Sequence, residues 1–63
     1  MNGFAYFRKK QKLTQQQVAE IMGLDQTTVS KWELGKKFPR SGKLPFLSQM
    51  YHCSIDDLFN EYR

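Results

Sequence analysis

The sequence predicts a small all-α fold of five helices. Apolar residues recur at helical spacing, capping patterns stand just before the apolar runs, and glycines follow where a helix must stop. All three signals coincide between Leu13 and Gly35, a stretch that reads as two helices around a tight turn.

The first helix is expected from Phe4 to about Gln11, with Asn2 placed to cap it. Phe4 and Phe7, three residues apart, turn toward the core, and Lys9, Lys10 and Lys12 face water. Thr14 opens the second helix, with Gln17 completing a capping box and Leu13 and Val18 at staple positions. Val18, Ala19 and Met22 share a buried face, from which Gln15, Gln16 and Glu20 are excluded. Gly23 supplies the left-handed residue that ends this helix.

Asp25 caps the third helix, Gln26 to Leu34, with Leu24 and Val29 as its staple and Gly35 as its terminator. Val29 and Trp32 pack inward, leaving Gln26, Thr27, Thr28, Ser30 and Lys31 mainly on other faces. A solvated helix usually alternates Glu and Lys, whereas this face carries amides, hydroxyls and one cation with no carboxylate. Such a surface suits DNA bases and phosphates.

The segment KKFPRSGK that follows is a basic loop with Phe38 as its anchor on the core. The fourth helix begins late, near Leu44, because Pro45 suits a first turn, and Leu44, Leu47 and Tyr51 mark its buried face. Ser54 and Asp57 form a second capping pair, Cys53 and Leu58 a staple, and a short fifth helix is expected from Ile55 to about Glu61.

Sixty-three residues make one domain, residues 1–63, near the lower size limit for folding without a staple. One cysteine and one histidine supply neither an internal disulfide nor a four-ligand zinc site. Cys53 therefore reads as a small hydrophobe and His52 as a helix-ending residue, and no metal or cofactor is expected. Asp56 and Asp57 complement a helix N-terminus; adjacent helical residues point apart and make no acid–base pair. No apolar run approaches the roughly 20 residues that span a bilayer, and the start lacks a signal-peptide core, so a cytoplasmic protein, nucleoid-associated when on DNA, is expected. The net charge is +4, and nine of the ten Lys and Arg lie between Arg8 and Lys43. That distribution favours a polyanionic partner. No activated nucleophile, phosphate-cradling glycine loop or catalytic pocket is apparent, so an enzyme is not expected.

The central stretch resembles the helix-turn-helix of the Cro/lambda-repressor-like group, also called the XRE type. The resemblance rests on small Ala19 at the helix crossing, Gly23 in the turn, apolar Val18, Met22, Leu24, Val29 and Trp32, and the closing WELG. RKKQKLTQ before it and SIDDLF after it extend the likeness over nearly the whole chain. It implies a compact five-helix lambda-repressor-like DNA-binding domain whose third helix enters the major groove. By the same resemblance Arg8 pairs with Glu33, and losing one partner of such a pair costs about 3–5 kcal/mol when it is buried.

Carried onto this sequence, the family positions make Gln26, Thr27 and Lys31 base contacts, with Thr28 either a base contact or an aid to its own helix cap. Gln15, Lys36, Lys37 and Arg40 become phosphate contacts. The implied protein is a sequence-specific transcriptional regulator, a repressor acting as a homodimer on an inverted-repeat operator. Phe59 and Tyr62 are equally readable as its dimer surface or as core closure. An antitoxin-like or anti-regulator module that binds protein is the competing reading; RNA binding is disfavoured because no aromatic platform lies within the polar face.

Overall fold

The first four helices have eight residues each and the fifth has five. Segments this short are barely helical alone in water, because nucleating the first turn is costly. Each therefore depends on its caps and on a shared core. The computed structural model describes residues 1–63, with α1 at Gly3–Lys10, α2 at Gln15–Met22, α3 at Gln26–Glu33, α4 at Leu44–Tyr51 and α5 at Ile55–Phe59. A single 3₁₀ turn, Ser41–Lys43, leads into α4. The late start of α4 at Leu44 is as expected from Pro45.

Three helix starts are closed by side chains. The Asn2 Oδ1 accepts from the Ala5 N–H at 3.2 Å. Thr14 with Gln17, and Ser54 with Asp57, form reciprocal capping boxes with every bond between 2.8 and 3.1 Å. Asp25 departs from expectation: it stands in extended backbone at the start of α3 but its side chain makes no capping bond. The Thr28 N–H instead donates to the Asp25 carbonyl at 3.0 Å. An exposed carboxylate exchanges such a bond for hydration at little net cost.

Four helices end alike, with a left-handed residue whose successor donates its N–H to the carbonyl five residues back. Those residues are Gly23 and Gly35, as expected, and also Lys12 and His52, at φ +58° and +54°. The closing bonds are Leu13 to Arg8, Leu24 to Ala19, Lys36 to Lys31 and Cys53 to Ser48, at 2.8–3.2 Å. The fifth helix stops at Phe59 rather than near Glu61. From Asn60 the chain is extended and pairs with the N-terminus: Asn2 bridges Glu61, and the Tyr62 N–H donates to the Met1 carbonyl at 2.7 Å.

The core comprises Phe4, Val18, Ala19, Val29, Trp32, Leu47, Tyr51 and Leu58, with Phe7, Leu13, Met22, Leu24, Leu44, Met50 and Cys53 packed around it. α2 packs on α3, and α1 meets α3, α4 and α5. The α1–α5 approach requires Gly3. A methyl group there would lie 2.1 Å from the Asp57 carbonyl oxygen and 2.6 Å from the Leu58 Cα. Tyr62 closes the core: its ring stacks on Tyr6 at 4.4 Å, and its hydroxyl donates to the Asp57 carbonyl. Phe59 sets its edge on Phe4 and remains half exposed. Phe38 touches Phe4 and Phe59 but is also more than half exposed, so the buried anchor of the basic loop is Pro39.

Beneath these contacts lies one ionic pair. The Arg8 Nε and a terminal nitrogen donate to the two Glu33 carboxylate oxygens at 2.6 and 3.0 Å, and the other terminal nitrogen donates to the Leu13 carbonyl at 2.8 Å. Both side chains are about nine-tenths buried, at 11% and 8% exposed. The carboxylate hydrogen-bonded to Arg8 holds the guanidinium above its ordinary range. Burial pushes the neighbouring Tyr51 phenol up as well. The pair inferred from resemblance is present and bidentate.

Two sets of substitutions test this account. Gly3→Ala should lower stability by roughly 1–3 kcal/mol through overpacking, whereas His52→Gly should raise it by about 1 kcal/mol by relieving a left-handed side chain. In thermal melts, each kcal/mol moves the midpoint of so small a domain by about 4–8 °C. Arg8→Ala should cost about 3–5 kcal/mol, and an Arg8→Met/Glu33→Leu double variant should recover most of it in urea unfolding, because the penalty is an orphaned charge.

Candidate nucleic-acid interface

The Glu33 carboxylate accepts a third bond. Gln15, the first residue of α2, donates its Nε2 to Glu33 Oε1 at 3.0 Å, and its Oε1 accepts from the Gln26 Nε2 at 3.4 Å. Gln15 is therefore half buried, where the sequence placed it on the wet face of α2. The direction of the chain follows from its origin. A carboxylate only accepts, so Gln15 must present its NH₂ to Glu33 and its carbonyl oxygen to Gln26. Gln26 must then donate inward, and its own carbonyl oxygen and second N–H remain available to a ligand.

Gln26, Thr27 and Lys31 are all exposed on α3. Thr27 and Lys31, four apart, stand one above the other, and Gln26 adjoins the start of α2. Thr28 differs. It lies two residues from Gln26, on a nearly opposite face, and is half buried beside Trp32 on the wall of a cavity.

The end of α3 joins the exposed face of Gln26, Thr27 and Lys31 to the basic loop. The Lys31 carbonyl accepts from both the Lys36 and Lys37 N–H groups, at 3.0 and 3.4 Å. Lys36, Lys37 and Arg40 are exposed just beyond it. The ion pairs of the chain are Arg8 with Glu33 and the N-terminal ammonium with Glu61, so Lys31, Lys36, Lys37, Arg40 and Lys43 have no carboxylate partner. Lys43 shares the cavity with Lys37 and Arg40, a grouping that its position in the sequence did not reveal.

The remaining chemistry of the chain is inert by comparison. Burial, with the charge of Asp57, pushes the Cys53 thiol up, which keeps it a neutral apolar group. His52 is exposed and serves its helix end. Asp57 is committed to the Ser54 capping box and Asp56 is solvated. No helix is long and apolar enough to cross a membrane.

The geometry is that of a short exposed helix held across a second helix, with unpaired cations at its far end. A family model described as Helix-turn-helix (HTH_3) matches residues 4–58. The chain is 38% identical over 53 residues to the HTH-type transcriptional activator BcrR of Enterococcus faecalis, an alignment covering 84% of this chain and 26% of that protein. The chain thus spans about a quarter of that relative's length. The two helices around Gly23, the buried Arg8–Glu33 brace and this match agree: the chain belongs to the helix-turn-helix family of the XRE, Cro/CI type, a family of DNA-binding domains.

Proposed function

We propose that this protein is a sequence-specific regulator of transcription that binds duplex DNA through α3 in the major groove. The observation that carries the reading is the directed hydrogen-bond chain from Glu33 through Gln15 to Gln26. It leaves Gln26 with one acceptor and one donor facing outward. Adenine presents the complement in the major groove, a donor at N6 and an acceptor at N7, whereas guanine presents two acceptors. Gln26 reads adenine, the Thr27 methyl meets a thymine methyl, and Lys31 donates to guanine, with Thr28 at the margin of this face. Lys36, Lys37 and Arg40 hold phosphates on one side, where unpaired cations release the condensed counterions of DNA, and Gln15 keeps its second N–H for a phosphate on the other.

An eight-residue helix is about 12 Å long and passes only about three to four base pairs of the groove. Useful specificity then calls for two copies, and we assign a homodimer on an inverted repeat with half-sites about one helical turn apart. Phe59 offers the exposed part of the surface between copies, because Tyr62 is engaged with Tyr6 and Asp57. Repression needs nothing beyond occupancy of a site that overlaps a promoter. Activation is the second reading, favoured by the name of the Enterococcus relative, and needs a further contact with polymerase. The seat of action is cytoplasmic, on the nucleoid. A protein-binding role on the same fold is the reading to which failure of DNA binding would lead.

Selection of a randomised duplex library on the purified protein should enrich an inverted repeat with an adenine in each half-site. Gln15→Ala should relax that adenine by about 1–3 kcal/mol of discrimination without unfolding the chain, and joint substitution of Gln26, Thr27 and Lys31 by alanine should abolish enrichment. No enrichment by the native protein would overturn the assignment. Lys36→Ala or Lys37→Ala should instead weaken binding to every sequence and reduce the slope of log affinity against log salt by about 0.9 each. An unchanged slope would remove that lysine from the phosphate set.

A further inference from the structure

A cavity of about 370 Å³ opens between α3 and the segment that follows it. Its apolar wall is made by Leu24, Trp32, Phe38 and Pro39, and its polar lining is three cations, Lys37, Arg40 and Lys43, with the Thr28 hydroxyl. No carboxylate lines it, and none of the three cations belongs to an ion pair elsewhere in the chain. Like charges gathered around a low-dielectric wall raise the local positive potential and attract an anion. The wall favours more than a bare anion, because the Phe38 ring is more than half exposed beside the half-buried Leu24, over a floor of buried Trp32 and Pro39. The volume lies at the small end of the roughly 300–1,000 Å³ of small-molecule sites.

We propose that this cavity binds a small aromatic carboxylate, its ring against Phe38 and Leu24 above Trp32 and its carboxylate between Arg40, Lys37 and Lys43. A guanidinium meets a carboxylate bidentately, and the two ammonium groups complete the charge balance. Lys37 and Arg40 are also the cations assigned to DNA phosphates. A ligand held there withdraws both from the backbone and lowers DNA affinity, so the site is an effector site that opposes DNA binding. The effect on DNA rests on the DNA-binding function proposed above; occupancy of the cavity does not.

The test is titration of the isotopically labelled protein with 2-naphthoate, neutral 2-naphthamide and inorganic phosphate at constant ionic strength. The indole N–H resonance of Trp32, the single tryptophan, reports the wall of the cavity. Naphthoate should shift it saturably together with Lys37 and Arg40, and naphthamide should bind at least about tenfold more weakly, as expected for loss of a charge-assisted contact. Phe38→Ala, which removes the exposed ring of the wall and none of the assigned DNA contacts, should weaken naphthoate severalfold while affinity for the selected duplex stays within about twofold of native. Naphthoate should compete with that duplex. No saturable shift, or naphthoate no tighter than phosphate or naphthamide, would overturn the site, the phosphate result leaving only a seat for DNA backbone. Binding of naphthoate without loss of duplex affinity would overturn its role as an effector. Absence of duplex binding by the unliganded protein would refute the DNA reading, and the naphthoate isotherm would still decide the cavity.

Discussion

The structure depends on where one carboxylate lies. Glu33 is buried at the end of α3, and it is tolerable there because Arg8 meets both its oxygens from α1 while Gln15 meets one from α2. A buried pair of this kind contributes little net stability over an apolar pair of the same shape. What it does impose is geometry, since an orphaned charge is costly and this arrangement of α1, α2 and α3 brings three donors to the carboxylate. The same carboxylate sets the polarity of the amides beyond it. A constraint that begins in the core therefore ends at an exposed side chain of α3.

Around that constraint the fold is assembled from helices too short to persist alone. Three of the five starts are closed by side chains, those of Asn2, Thr14 and Ser54, and four of the five stops by left-handed residues. Asn2 does more than cap α1, because its Nδ2 donates to the Trp32 carbonyl at 2.9 Å and ties the start of α1 to the last turn of α3. The same residue pairs with Glu61. The beginning and end of the described chain are thereby joined beside the recognition helix.

The parts of this architecture governed by local rules could be read from sequence. Capping pairs three residues apart, glycines at Gly23 and Gly35, and the spacing of Val18, Ala19, Val29 and Trp32 are local signals, and each lies where those signals place it. Features set by distant neighbours could not be read. Gly3 looks neutral in sequence, and only the backbone of α5 shows why a side chain is excluded. Lys12 and His52 carry no mark of left-handed backbone, which their helix ends impose. The α5 boundary was overestimated because the pull of the N-terminus on Tyr62 is invisible locally. At the site, the exposure of Gln26, Thr27 and Lys31 followed from helical periodicity and the brace from resemblance. The engagement of Gln15 and the company of Lys43 emerged only in three dimensions.

In the proposed reading, α3 separates two kinds of recognition onto opposite sides. On one side, Gln26 takes its donor direction from a hydrogen-bond chain that starts in the core and reaches it through a long, exposed 3.4 Å bond. On the other, Leu24, Thr28 and Trp32 face a basic segment whose cations have no partners. Directed bonds discriminate among bases, whereas unpaired cations contribute affinity without discrimination. Trp32 ties the cavity to the core: its carbonyl is fixed by Asn2, its ring fills the core, and it lines the cavity. Because Lys36 and Lys37 fold back onto the Lys31 carbonyl, the two sides meet at a single turn. A displacement of that turn alters the backbone grip while the Glu33–Gln15–Gln26 chain, anchored from α1 and α2, keeps its direction. On the proposed assignment, affinity is adjusted at the loop without changing which base Gln26 reads.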